Sequence, residues 1–175
     1  MAQLRKMLGD ISSEECVALM HLIETQSKST LSKWAIEYAR RNYLTVYQRH
    51  CADDHTMAGL LAVCRAYAMG EGELKQAKNA IKMMRQRARE LGEQPVAQAA
   101  ARALSTGCAA IQTPSNAFGF LLYGAAAVSY DELGLACERE TYDAAAAREL
   151  RRALASLQPA AIAGEANPAK ISWNC

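Results

Sequence analysis

Proline is scarce in this 175-residue chain, with four in all, and aromatic residues make up only 6% of it. Few helix breakers and little β-preferring bulk argue against a sheet-rich fold. No stretch alternates apolar and polar residues as a half-buried strand would. Histidine occurs only three times, at His21, His50 and His55, and the residues three before them are Ala18, Tyr47 and Ala52. The Glu-x-x-His motif of ferritin-like di-iron bundles is therefore missing. There is no glycine-rich phosphate loop, nucleophile elbow or His-Glu-x-x-His, so no catalytic, cofactor or metal role is expected. The six cysteines contain no Cys-x-x-Cys pair, and Cys16, Cys64 and Cys108 fall at apolar helical positions. Reduced, buried thiols in a cytosolic protein are the expectation, not a disulfide framework. The first residues lack the apolar run of a signal peptide. Cys175 is the last residue, so it is not a prenylation box. A net charge of +2 does not by itself demand a polyanionic partner.

What is present is alanine, roughly one residue in five, which enters helices without loss of side-chain entropy. Seven or eight helices are predicted. Ser12 or Ser13 should cap the first, with Cys16, Leu19, Met20 and Ile23 on one face. Ser29 or Thr30 should start the next, with Leu31, Trp34, Ala35 and Tyr38 inward, and Tyr43 to His50 should continue it after a bend. Asp53 or Asp54 should cap a helix carrying Met57, Leu60, Leu61, Cys64 and Tyr67, ended by Gly70 and Gly72. From Glu73 to Leu91 a narrow seam of Leu74, Ala77, Ile81, Met84, Ala88 and Leu91 marks another. Pro95 should open the next at its first turn.

No charged residue occurs from Ala103 to Tyr130. Thr113 reads as an N-cap and Pro114 as the first helical residue of a segment that is apolar nearly all round, through Phe118, Phe120, Leu121, Leu122 and Val128. Its length falls short of the roughly 20 residues of a membrane span, so a buried central helix is expected. Gly119, Gly124 and Ala125 to Ala127 should admit close neighbours. Asp131 to Gly134 should end it, and a last amphipathic helix should run from about Cys137 to Leu157. The fold class is thus all-α, one domain over 1–158 around a central apolar helix, packed orthogonally or as a solenoid. Residues 159–175 should form an irregular tail from which Trp173 is expected to dock back on the body.

Three sets of residues are candidates for binding. Asp53 and Asp54, with Cys51 and His55, are the densest group of ligand-type side chains, although helix capping accounts for them at that position. Lys75, Lys78, Lys82, Arg85 and Arg89 share one helical stripe. They could meet an acidic protein surface or phosphates, or simply be a solvated flank whose stems cover the seam. No aromatics interleave with them, so base stacking is not supported and nucleic acid is not the expected partner. Gln112 and Asn116 interrupt the uncharged stretch as a polar patch or as capping groups. His21 and Glu24, one turn apart, are too few for a metal site.

Several of these positions carry a resemblance. Ala101-Arg102-Ala103, Ala109, Ala117-x-Gly119, Tyr123, Ala126 and Ala127 resemble the Imm-five-like immunity proteins of bacterial polymorphic-toxin systems. So do Leu22 to Lys28 with Leu31, Trp34, Ala35, Tyr38 and Ala39, and the helix end Tyr130 to Gly134. The similarity spans roughly 3–135. It implies a helical, non-catalytic cytoplasmic protein whose partner is a cognate toxin, with no membrane involvement and a homodimer left open. Members of that family often carry histidine where this chain has Thr106, Gln112 and Asn116, which implies hydrogen bonding here without a proton switch. A nucleic-acid-associated regulator using the Lys75 to Arg89 face, and a carrier or enzyme with a small-ligand pocket among the central helices, are the competing readings.

Overall fold

The computed structural model describes residues 3–173. Among them lie eight helices and no strand: α1 (Glu14–Glu24), α2 (Lys28–Asn42), α3 (Leu44–His50), α4 (Thr56–Ala68), α5 (Leu74–Glu90), α6 (Pro95–Ala109), α7 (Asn116–Leu133) and α8 (Arg139–Ala160). Ser13 caps α1, its Oγ accepting from the Cys16 amide. Ser27, two residues before the expected start, caps α2 by accepting from Thr30. Its own hydroxyl and amide donate to Glu165 of the C-terminal segment; that distant carboxylate at the helix N-terminus explains the earlier start. Pro95 stands in the first turn of α6, as expected.

Thr113 and Pro114 do not cap α7. They sit in a tight turn in which Asn116 donates to the Thr113 carbonyl and Ala117 to that of Pro114, and the α-helix begins at Asn116. Leu74, expected on the buried seam, is exposed at the first residue of α5, where no neighbouring helix covers it. Helix α8 starts at Arg139, not Cys137, and continues through Pro159 to Ala160. A proline in the last turn forfeits one backbone bond and leaves the earlier turns intact.

The centre is a pair of helices. α6 and α7 make the most extensive helix–helix contact, α6 also packs on α2, α3, α4 and α5, and α7 on α8, α1 and α2. Contacts between α1 and α8, and between α2 and α6, close the array round a shared core. This is not a solenoid, where each unit touches only its neighbours. Ala, Gly and Ser make up most of the inner faces: Ala97, Ala100, Ala101, Ala103, Gly107, Ala117, Gly124, Ala125, Ala126 and Ser129 are buried. Small side chains let the backbones approach, so the few large ones fill defined places between them. Trp34, Tyr38, Tyr43 and Phe120 form one aromatic cluster with centroids 5.6 to 6.3 Å apart, mostly edge to face. Such pairs each add about 0.5–1.5 kcal/mol beyond area burial. The Tyr43 ring lies directly on Gly124, where a Cβ would stand 1.9 Å from Tyr43 Cζ.

After Ala160 the described residues contain no helix and run back over α1 and α2. Gln26 exchanges side-chain bonds with the Ile162 backbone, and its carbonyl accepts from Ala169. Trp173 docks as expected, edge-on to Phe118 at 5.7 Å with Nε1 donating to Glu24.

Alanine is favoured over glycine in a helix by about 1 kcal/mol. Gly119→Ala, whose Cβ would meet only Thr106 at 3.9 Å, is therefore expected to raise stability in urea unfolding. Gly124→Ala is expected to lower it by about 2 kcal/mol or more, because Tyr43 must be driven out of the cluster.

Candidate functional site

An open groove of about 940 Å³ runs between the α3–α4 connection and α5. His50, Cys51, Asp53 and Asp54 form one wall, Lys82, Gln86 and Arg89 the other, and Met57, Leu60 and Met83 the apolar floor. The α3–α4 connection is held by Asp54, which serves three partners. Its Oδ1 accepts from the Thr56 amide at 3.0 Å, and its Oδ2 accepts from Tyr47 Oη at 2.6 Å and Arg87 Nε at 2.8 Å. His55 occupies the cap position of α4 without a side-chain bond, so Asp54 supports the helix start from one residue further out, and Asp53 remains exposed. Partial burial works against the Asp54 charge, but the bonds from Tyr47, Thr56 and Arg87 outweigh it and hold the carboxyl at about 2. Burial, followed by the bond to Asp54, pushes Tyr47 up. The set is a structural clamp between α3, α4 and α5.

All five residues of the basic stripe, Lys75, Lys78, Lys82, Arg85 and Arg89, are exposed on α5. Lys82 and Arg89 form part of the groove wall, so the stripe and the Asp53–Asp54 loop belong to one surface. Gln112 and Asn116 belong elsewhere. Gln94, at the N-terminal end of α6, reaches the groove. Gln112 lies beyond the C-terminal end of that 15-residue helix, roughly 22 Å away along its axis. That end of the molecule is where Trp173 packs on Phe118.

A second groove of about 940 Å³ lies between α2, α4 and α8, lined by Trp34, Glu37, Tyr38, Arg41, Arg65 and Arg152 among others. Glu37 is held at about 2, chiefly by its bond from Arg40 and against some burial, with Arg41 and Arg65 adding to it. Behind Arg152 sits Glu149, only 2% exposed. Tyr38 and Tyr43 donate to its Oε1 at 2.6 and 3.1 Å, and Arg152 Nη2 stands 3.4 Å from Oε2. Burial raises the Glu149 carboxyl above its ordinary range against the opposing pull of Tyr38 and Arg152. This carboxylate ties α8 to α2 and to Tyr43 at the α2–α3 junction.

The sequence did not point to Arg87, Tyr47, Met83 or Glu149. Glu149 had a signal: it falls on the Tyr142, Ala146, Ala153 stripe that faces inward. Arg87 had none, since its partner lies 33 positions away. Among the described residues no three His, Cys, Asp or Glu side chains stand together as a metal-holding group. Cys16, Cys64 and Cys108 are buried free thiols. The Cys108 thiol is pushed up by its hydrogen bond with Cys64 and by burial, which makes it a poor nucleophile. No described helix is long and apolar enough to cross a membrane.

Because Asp54 is depressed on folding, the stability it contributes is present above the unfolded value near 3.9 and is lost as pH falls through about 2. Asp54→Asn is expected to cost about 1–2 kcal/mol at neutral pH and to flatten the acid slope of an unfolding series between pH 4 and 2. A slope unchanged by the substitution would mean that the clamp does not form.

The family model described as Imm-5 like putative immunity protein matches residues 21–159. The span begins inside α1 and takes in nearly all of α8, where the scattered resemblances in the sequence had covered roughly 3–135. No curated protein and no solved structure matches the chain. A match over most of the length, running from α1 through α8, places this chain in the Imm-5 like putative immunity protein family.

Proposed function

We propose that the chain binds a cognate bacterial toxin in the cytoplasm of the cell that makes it, and neutralises that toxin by covering it, without catalysing a reaction. The family match over residues 21–159 carries this reading. The charged groups with shifted titration support it from inside the molecule. Asp54 accepts from Arg87 of α5, Glu37 from Arg65 of α4 and Glu149 from Tyr38 of α2, so each joins two elements of the fold. These bonds stiffen the body. A body fixed in this way loses little ordering entropy when it docks. The free, buried thiols suit a reducing compartment. Of the surfaces, the α5 face with the Asp53–Asp54 loop is the one we assign to the partner, because five exposed cations and an apolar-floored groove lie side by side there. The Gln112 and Asn116 end is secondary, since the C-terminal segment already packs beside it.

Co-expression with the toxin encoded beside its gene is expected to restore growth and to yield a complex that survives gel filtration. Growth arrest despite abundant folded protein, with the two proteins eluting apart, would contradict the assignment.

A further inference from the structure

Most acids around the α5 groove are already engaged, and most cations are not. Asp54 is held by Tyr47 and Arg87, Glu90 lies 3.7 Å from Arg87, and Asp131 is taken by Arg49 and His50. Among the described residues, Lys75, Lys78, Lys82 and Arg85 have no acidic partner, and Arg89 donates only to the amide oxygen of Gln86. Asp53 is the one acid of the groove wall outside these pairs. The uncompensated charge along this rim is therefore positive, over a floor of Met57, Leu60 and a 46% exposed Met83. Thioether side chains re-pack readily around an incoming apolar group. No Phe, Tyr or Trp lines this groove, so it offers bases nothing to stack on.

We propose that this groove receives an acidic segment of the partner. Its carboxylates would pair with Lys78, Lys82 and Arg89, and one apolar side chain would enter between Met57, Leu60 and Met83. Calling that partner a toxin rests on the immunity reading; the chemistry of the segment does not. A consequence follows for the toxin. An enzyme that cuts nucleic acid presents a basic cleft to phosphates, and this surface would be repelled by such a cleft. The toxin face covered here carries carboxylates.

The test uses the full chain and three probes: a short peptide of Asp and Glu around a single Leu, the same peptide with Ser for Leu, and a random-sequence duplex DNA. Backbone amide resonances report where each binds. The Leu peptide is expected to shift residues of α5 and of 51–60, and to weaken steeply with salt. The Ser peptide is expected to bind about tenfold less tightly. Lys78→Glu with Lys82→Glu, both at exposed positions that leave the fold intact by circular dichroism, is expected to weaken the Leu peptide by at least about tenfold. Equal binding of the two peptides, shifts centred on another surface, or tighter binding of the duplex would overturn the proposal. If the toxin co-elutes equally with the wild-type chain and the double variant, the groove assignment fails while the immunity reading stands. If the peptides behave as expected and no neighbouring toxin binds, the groove stands and the immunity reading fails.

Discussion

The fold depends on how closely α6 and α7 approach their neighbours. Two helices almost free of charge, faced with Ala, Gly and Ser, leave space that only a few large side chains fill. The Tyr43 ring lies where a Cβ on residue 124 would stand, so only glycine fits there. It fixes the bend between α2 and α3 against α7. Through Glu149, which accepts from Tyr38 and Tyr43, it also fixes α8. A buried carboxylate with two phenolic donors is costly to assemble and costly to break, so it specifies one arrangement of α2, α3 and α8.

The same division of labour shapes the surface. Asp54, Glu37, Glu149 and Asp131 all bond within the molecule, where they join elements distant in sequence. Apart from Arg87, the cations of α5 have no such task. A chain with net charge of only +2 thereby presents one face with locally uncompensated positive charge. Overall charge hides this, because it sums acids such as Glu14, Glu138 and Glu140 that lie outside α5. The face we propose for recognition is a by-product of how the interior is tied together.

Much of the architecture was legible in the sequence, since helix formation and burial leave periodic traces. The Cys16, Leu19, Ile23 stripe, the Ala77 to Ala88 seam and the uncharged 103–130 stretch read directly as buried faces. Helix starts were less legible. Ser27 gains its role from Glu165, and the α7 start from a turn through Pro114; both depend on tertiary or turn geometry that spacing does not encode. Leu74 shows the converse, an apolar residue in register with a seam whose burial begins only one turn after it, at Ala77. Of the candidate residues, the stripe and the Asp53–Asp54 loop come together because α4 packs on α5 and Arg87 of α5 donates to Asp54 in the α3–α4 connection. Gln112 and Asn116 sit at the far end of α6. Arg87 escaped notice because a clamp residue on an exposed-looking helix flank resembles its solvated neighbours until its partner is placed.

Hydrogen exchange of the chain, free and bound to the toxin encoded beside its gene, tests the central claim most directly, since protection reports which backbone a partner covers. Binding through the α5 face should slow exchange across residues 51–57 and 75–90 and leave the Gln112 to Asn116 turn unchanged. Protection centred on that turn and on Trp173, with α5 exchanging as in the free chain, would contradict it.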